Sequence, residues 1–206
     1  MRLYGQYCGL ARALDVVGNR WSLLIVRELL MGPARYGRLQ AGLPGISTNL
    51  LTERLRELEE AGVVLRQLDS DSNGVAYALT PWGYELRNTV AALVNWSKPL
   101  MVSGPQGDSF RPHWLVVALE SLLGSKRATN PATAGVEVDG ATLIVRIDAT
   151  GTRVWPAVDE QPKTVLRAEP PVILGLAAGM LTVQQAISAG DLSGVPQDLA
   201  AVFAPL

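Results

Sequence analysis

The order of structural signals within residues 35–79 constrains the fold more than any other feature of the chain. Tyr36 and Leu39 have the spacing of one helix face, and Gly42-Leu43-Pro44-Gly45 interrupts that helix. Ser47 is suited to cap a second helix, because its hydroxyl can accept a backbone N–H two or three residues later. The segment therefore predicts two consecutive helices separated by a tight turn.

The second helix has two chemically different sides. Leu51, Leu55 and Leu58 form an apolar stripe for the core, and Ile46 is placed to pack back onto Leu51. The opposite side is polar and carries Thr48, Asn49, Thr52, Glu53 and Arg56, with Arg54 at the flank. Side chains of this kind can reach base edges and phosphates. Arg54 could instead pair with Glu57, three residues further along the helix.

Two β-rich runs, 63–68 and 75–79, flank the polar segment 69–74, whose Asn-Gly pair favours a tight hairpin. Thr80 and Pro81 then predict a capped helix that continues to about Val102. Helix, turn, helix and hairpin in this order predict a winged helix-turn-helix, whose second helix fits the DNA major groove.

The chain resembles the HxlR-type regulators, a branch of the MarR-like winged-helix proteins, from Cys8 through Leu86. The resemblance is carried by Asp15-Val16-Val17-Gly18-Asn19-Arg20-Trp21-Ser22-Leu23-Leu24-Ile25, Gly32-Pro33-Ala34-Arg35-Tyr36, Leu43-Pro44-Gly45-Ile46-Ser47, Leu51-Thr52-Glu53-Arg54-Leu55-Arg56-Glu57-Leu58-Glu59 and Tyr77-Ala78-Leu79-Thr80-Pro81-Trp82-Gly83. It implies a homodimer on a double-stranded DNA operator with inverted half-sites, with helix 47–60 in the major groove.

The resemblance and the polar helix face together predict the DNA contacts. They are Arg35, Arg38, Ser47, Thr48, Asn49, Thr52, Arg54, Arg56 and Asn73, and Arg20 is a further candidate for a phosphate. The hairpin turn departs from the family pattern, because Asp69 and Asp71 stand where basic residues are common. Two carboxylates near phosphate oppose binding, so Ser72, Asn73 or backbone amides would have to supply that contact.

Composition narrows the class of protein. Of 206 residues 48% are hydrophobic, enough for packed cores, and a net charge of −1 argues against nonspecific coating of nucleic acid. Cys8 is the single cysteine, which excludes an intrachain disulfide and fits a reducing cytoplasm. We expect it to be a packed or interfacial thiol rather than a redox sensor. With neither a signal peptide nor an apolar run of about 18 residues, we expect a cytoplasmic protein without a membrane segment.

A turn-rich segment, 103–108, predicts a linker between a domain at 1–103 and a second domain at 108–206. The helix before the linker is largely apolar, with Leu86, Val90, Leu93, Val94 and Leu100 and with Trp82 and Trp96. In so small a domain such a helix is expected to pack against a second copy of the chain.

The sequence of the second domain predicts an α+β layer. The predicted elements are a helix at 112–123, strands around the Asp139-Gly140 turn, strands at 152–155 and 163–168, and helices at 170–178 and 182–189. It resembles the sterol-carrier-protein-like fold through residues 165–170, 173–181, 185–192, Gly194 and 199–203. That resemblance implies an apolar tunnel for a small hydrophobic ligand, although some members use the fold for packing alone. Trp114, Ala118 and Trp155 are the candidate lining residues.

The sequence contains no nucleophile–base pair, catalytic carboxylate pair, phosphate-cradling loop or metal-ligand spacing, so we expect no catalytic residue, metal or cofactor. The expected function is sequence-specific transcriptional regulation, as a repressor, with a hydrophobic effector in the second domain changing the spacing of the two recognition helices. Two alternatives stay open. The second domain could only strengthen dimerisation, or the chain could be a lipid or metabolite carrier whose winged helix binds protein.

Overall fold

The computed structural model of the protein describes residues 3–69, 74–101 and 104–204. The chain divides into two compact units, Met1–Val90 and Ala91–Leu206. Helices and antiparallel strands occur in both, so the protein is an α+β protein with an N-terminal winged helix-turn-helix. Across the described ranges, no helix is long and apolar enough to cross a membrane, and no group of three or more His, Cys, Asp or Glu could hold a metal ion.

The first unit contains the predicted helices and hairpin in the predicted order. Its elements are α1 (Gly9–Val17), α2 (Ser22–Leu29), β1 (Ala34–Arg35), α3 (Tyr36–Gly42), α4 (Thr48–Glu60), β2 (Val64–Leu68), β3 (Val75–Leu79) and α5 (Pro81–Tyr84). Gly62 has a φ of 77° just beyond α4, a left-handed conformation in which glycine is favoured, so it ends the helix as expected.

The wing is a small antiparallel sheet in the order β1-β3-β2. In β2 and β3, Val64 pairs with Leu79 and Leu68 pairs with Val75, which confirms the two predicted strands. The Asp69 N–H donates to Gly74 O across the hairpin at 2.9 Å. Asn73, one of the predicted DNA contacts, lies outside the described residues.

The core of the first unit holds α4 in place. Leu51, Leu55 and Leu58 of α4 are at most 1% exposed, as the apolar stripe predicted. The end of α3 is tied to α2, because Arg27 of α2 bonds the buried Glu28 and the carbonyl of Gly42. A Cβ on Gly42 would lie 2.2 Å from Glu28 Oε2, so a larger residue there would require the buried Glu28 carboxylate to shift.

The prediction of one continuous helix from Pro81 to about Val102 is wrong, because the segment is divided into shorter helices. The Thr80 cap is present, with its hydroxyl accepting from Gly83 N at 2.9 Å, but α5 ends at Tyr84. Helix α6 (Leu86–Trp96) follows, and then a 3₁₀ turn (Lys98–Met101). The break has a local cause, because Glu85 N bonds Trp82 O in the i→i−3 pattern of a tight turn. Pro99 has no backbone N–H to continue the α-helical hydrogen bonds, which fits the change to a 3₁₀ turn there.

The second unit is built on a five-stranded sheet with helices. Its further elements are α7 (Trp114–Leu122), β4 (Ala132–Val138), β5 (Ala141–Asp148), β6 (Gly151–Pro156), β7 (Val165–Arg167), α8 (Pro170–Ala177), α9 (Val183–Ser188), β8 (Asp191–Ser193) and α10 (Pro196–Phe203). The strand order is β6-β5-β4-β7-β8, and only the β4–β7 pair among these neighbours is parallel. Strand β8 and helix α10 were not predicted as elements.

The predicted Asp-Gly turn joins β4 and β5. Asp139 and Gly140 have φ values of 49° and 74°, as a tight hairpin of the primed type requires. Cross-strand neighbours such as Val136 and Leu143 are buried, together with Leu119 of α7. These side chains form the core of the second unit.

Candidate nucleic-acid interface

Helix α4 begins at the residue that the sequence indicated. The Ser47 side chain accepts a hydrogen bond from Leu50 N at 3.3 Å, which satisfies one of the free amides of the first turn. Ile46, just before the cap, is buried. The first turn of α4 is therefore anchored on one side and open on the other.

The open side of α4 carries the predicted DNA contacts. Ser47, Thr48, Asn49, Thr52 and Arg56 are all exposed, while the core stripe on the opposite side is closed. The structure thus brings these five side chains together over the first turns of one helix. Glu53 is exposed beside them and is the acidic member of the surface.

Tyr36 of α3 fixes the start of α4. Its hydroxyl donates to Thr48 O at 2.8 Å, and the Thr52 hydroxyl donates to the same carbonyl at 2.9 Å. The Tyr36 and Thr52 hydroxyl oxygens are 3.4 Å apart. Because its proton is engaged within the protein, Thr52 offers a partner mainly its methyl group and an oxygen lone pair.

Arg56 and Arg54 have opposite environments although they are two residues apart. Arg56 Nη1 lies 2.7 Å from Glu60 Oε1, and both side chains are about 60% exposed (60% and 61%). Such an exposed i,i+4 pair is weak, so the guanidinium can leave Glu60 for another anion at little cost. Arg56 is therefore available to a polyanion.

Arg54 is held inside the protein. Its side chain is 13% exposed and forms ion pairs with Glu57 and with Glu53, the latter at 3.2 Å. Glu57 also accepts from Asn19 Nδ2 at 3.2 Å, which links α4 to the turn before α2. The alternative predicted for Arg54, a pair with Glu57, is present in the structure.

The arginines outside α4 differ in their partners. Arg35 forms an ion pair with Asp69 at the base of the wing, so one wing carboxylate is neutralised by a neighbouring cation. Arg38 of α3 is exposed. Arg20 lies over the Trp21 ring, with Cζ at 5.4 Å from the ring centroid.

Comparison with known proteins places this arrangement in a family. The profile described as "HxlR-like helix-turn-helix" matches residues 16–103. The chain is 39% identical over 90 residues to an HTH-type transcriptional regulator of Synechocystis, covering 43% of this chain and 67% of the relative. It is 37% identical over 87 residues to the regulator YvaP of Bacillus subtilis, covering 42% of this chain and 81% of YvaP.

The chain belongs to the HxlR-like helix-turn-helix family. Another Bacillus subtilis relative, the regulator YodB, is 36% identical over 86 residues that cover 41% of this chain and 77% of YodB. As a member of this family, the protein is a DNA-binding transcriptional regulator. The match ends at residue 103, so it does not bear on residues 104–206.

In this HxlR-like regulator the three candidate ligand residues of the second unit are not brought together. Trp114 and Ala118 lie on α7 and are half-buried. The Thr152 hydroxyl of β6 donates to Leu123 O at 2.8 Å, so the face of β6 that carries Thr152 is turned towards the end of α7. Trp155 points to the other face, because successive strand residues alternate.

Cys8 of the HxlR-like regulator stands immediately before α1 and is exposed. The packed environment predicted for this thiol is therefore wrong, and the interfacial alternative stays a prediction. The backbone amides of Ala11 and Leu10 lower the pKa of Cys8. The sequence offered no signal for the Tyr36–Thr48 bond either, because the two residues are separated by a turn whose course local patterns do not set.

Proposed function

We propose that the open side of α4 enters the major groove of an operator and that Asn49 and Arg56 read base edges there. The observation that supports this is the separation of the two sides: polar, exposed side chains over the first turns, and a closed leucine stripe behind them. Asn binds adenine and Arg binds guanine through paired hydrogen bonds, so both can discriminate sequence.

Arg35 and Arg38 contact phosphates beside the groove in this proposal. Phosphate contacts set the position of the protein on the duplex, and they make binding weaker as salt rises. The pair between Arg35 and Asp69 reduces the repulsion that the acidic wing would exert on the DNA backbone. A predicted contact from Asn73 stays a prediction.

A homodimer is the second part of the proposal. Each unit exposes large apolar side chains: Tyr7, Leu10 and Trp82 in the first, and Leu93, Trp96 and Leu100 in the second. Trp96 is 75% exposed, which is costly for an indole in water and is relieved when a second copy covers it. A two-fold dimer would present two copies of α4 to inverted half-sites.

The experiment measures binding to DNA fragments from the protein's own upstream region by fluorescence anisotropy at increasing salt. Asn49→Ala removes a contact of about 1–3 kcal/mol in each half-site, so we expect affinity to fall by about 5- to 150-fold per half-site. The matched control is Asn130→Ala, an exposed asparagine of the second unit. Equal affinity of the parent and Asn49→Ala proteins would overturn the groove contact, and no salt-dependent binding to any fragment would instead favour a winged helix that contacts protein.

Control by a hydrophobic molecule in the second unit stays a prediction. Leu115, Leu119 and Ile144 of that unit are at most 1% exposed, so a ligand there would have to lie against such buried apolar side chains. Melting of the protein in the presence of apolar compounds tests for such a ligand, because a molecule that binds only the folded state raises the melting temperature.

A further inference from the structure

The sheet of the second unit carries arginines on the face turned away from its core. Val145 and Ile147 of β5 are buried, so Arg146 and Asp148, which alternate with them, point to the other face. Arg153 of β6 stands directly opposite Arg146. The Arg146 side chain is 42% exposed and that of Arg153 is 61% exposed, so this end of the face is open to a partner.

Arg127 lies on the same face, beside the β5–β6 hairpin. Gly151 pairs with Asp148, and residues paired in this way share a face of the sheet. A Cβ on Gly151 would lie 3.1 Å from Arg127 Nη1, which places the guanidinium there. The same Nη1 donates to Gly124 O at 2.8 Å and to Lys126 O at 2.7 Å. We call the three side chains the arginine cluster: Arg127, Arg146 and Arg153.

Asp148 balances only part of this positive charge. Its Oδ2 lies 3.1 Å from Arg153 Nη2 and 3.6 Å from Arg146 Nε. Its Oδ1 accepts from the Thr150 N–H at 2.9 Å and from the Thr150 hydroxyl at 2.5 Å. The bonds from Thr150, together with the nearby Arg153, lower the pKa of Asp148 to about 2, so the carboxylate is ionised at neutral pH. Three guanidinium cations and this one carboxylate anion leave a net charge of +2.

The arginine cluster is not satisfied within the part of the chain that the structure describes. Like charges directly opposite each other on neighbouring strands destabilise a sheet, and Arg146 faces Arg153 in this way. Arg146 Nε is buried without a hydrogen-bond acceptor. Each guanidinium has five N–H donors, so an incoming anion can still bind these two exposed side chains.

Arg167 of β7 shows how an arginine on this sheet is neutralised by the protein itself. Its Nε and Nη2 donate to the two carboxylate oxygens of Glu137 at 2.7 and 3.0 Å, and Asp191 Oδ2 lies 3.4 Å from its Nη1. The Arg167 side chain is 62% exposed, as open as that of Arg153. The two arginines therefore differ in their counter-charge and not in their exposure. Residues 91–206 contain more carboxylates than cations, so the arginine cluster does not result from a generally basic unit.

A DNA duplex is the partner that fits this surface. Sites for small molecules are concave, whereas the arginine cluster stands on the open face of a sheet. A duplex offers closely spaced phosphates, and guanidinium groups bind phosphate through paired, charged hydrogen bonds. The protein is a DNA-binding regulator, so DNA held by its first unit is at high local concentration for the second unit of the same chain. A few phosphate contacts are then enough to strengthen binding.

From these observations we infer that the arginine cluster binds the phosphate backbone of duplex DNA, outside the groove proposed for α4. The inference builds on the proposed function but uses separate residues. Asn49→Ala removes no charge, so it tests base reading without changing the number of phosphates neutralised. The operator contacts and the arginine cluster can therefore fail independently.

The test is fluorescence anisotropy of the full chain with a labelled duplex of unrelated sequence, between about 50 and 200 mM salt. The double variant Arg146→Gln/Arg153→Gln removes two cations, so the slope of log affinity against log salt should fall by about 1.8 per protomer. Across that salt range the variant should thus lose about tenfold less affinity than the parent. Replacement of both arginines by lysine keeps the charge and should keep the parental slope.

Two further variants make the test specific. Arg167→Gln is the matched control, because this arginine is equally exposed but already countered, and it should keep the parental slope. Asp148→Asn keeps an acceptor for Thr150 and removes the negative charge, so it should bind the duplex a few-fold more tightly at low salt. Loss of folding, which melting of each variant checks, would not produce such a gain.

Three results would each overturn the inference. They are a parental slope in the double glutamine variant, an equal loss of slope in Arg167→Gln, and binding by Asp148→Asn that is no tighter than that of the parent. A parent protein that binds no duplex at all would overturn the proposed function as well.

Discussion

Arg54 and Arg56 give the sharpest test of the proposed DNA surface, because they share a helix and a residue type but not an environment. The perturbation is Arg→Gln at each position, which removes the charge and keeps most of the stem. Arg56 is exposed beside Glu60, whereas Arg54 is 13% exposed between Glu53 and Glu57. The two substitutions should therefore separate DNA affinity from stability.

For Arg56 the magnitudes favour a DNA contact over the intramolecular pair. An exposed i,i+4 pair contributes about 0.3–0.5 kcal/mol, whereas a good contact to a base contributes about 1–3 kcal/mol. Arg56→Gln should thus lower operator affinity by about fivefold or more per half-site. Its free energy of unfolding should change by less than about 0.5 kcal/mol, as for most surface substitutions.

For Arg54 the expected order is reversed. Arg54→Gln leaves the Glu57 carboxylate, whose side chain is 12% exposed, without its cation. Loss of a charged hydrogen-bond partner at such a site costs about 1–3 kcal/mol. In a domain of this size each kcal/mol lowers the melting temperature by about 4–8 °C.

The assay is urea unfolding and thermal melting of both variants, followed by anisotropy with operator DNA at a temperature where both are folded. Arg54→Gln should lower the free energy of unfolding and leave operator affinity nearly unchanged. Arg56→Gln should lower operator affinity and leave the free energy of unfolding nearly unchanged. The reasoning is refuted if Arg54→Gln loses as much affinity as Arg56→Gln while melting like the parent.

Three further results are expected. Ser47→Ala should cost about 1 kcal/mol of unfolding free energy through loss of the α4 cap, whereas Ser47→Thr should retain most of it; equal loss in both would contradict the cap. Trp96→Asp should shift the protein from dimer to monomer in sedimentation equilibrium, whereas Val158→Asp, at another exposed apolar residue, should not; a dimer in both would remove Trp96 from the interface. The alkylation rate of Cys8 should rise with pH through a midpoint below that of a free cysteine, since its folded pKa is lowered and the thiolate is the reactive form; a midpoint at or above the free value would argue against the amide effect.

Local chemistry determined the two helices of the helix-turn-helix, α3 and α4, and the wing strands β2 and β3 in advance, whereas α1, α2 and β1 were not predicted. The predicted features depend on residues close together in the chain, so the sequence suffices to find them. They are the Ser47 cap, the leucine stripe of α4, Gly62 and the strands of the wing. The Asp139-Gly140 turn is of the same kind. The break after Tyr84 was missed because an apolar helical pattern continues through it while the hydrogen bonds change register.

Tertiary structure alone decided which of two similar side chains is enclosed in the protein and which is open to a partner. Periodicity placed Arg54 at a flank and Arg56 on the polar side, but only the packed turn before α2, with Asn19 on Glu57, shows that Arg54 is enclosed. The same holds for the hydrogen bond from Tyr36 to Thr48 and for the arginine cluster of the second unit, which both join residues distant in sequence. The face of the sheet on which Trp155 lies was also decided by packing. Such contacts depend on how whole elements pack, and packing is a property of the folded chain rather than of any local pattern.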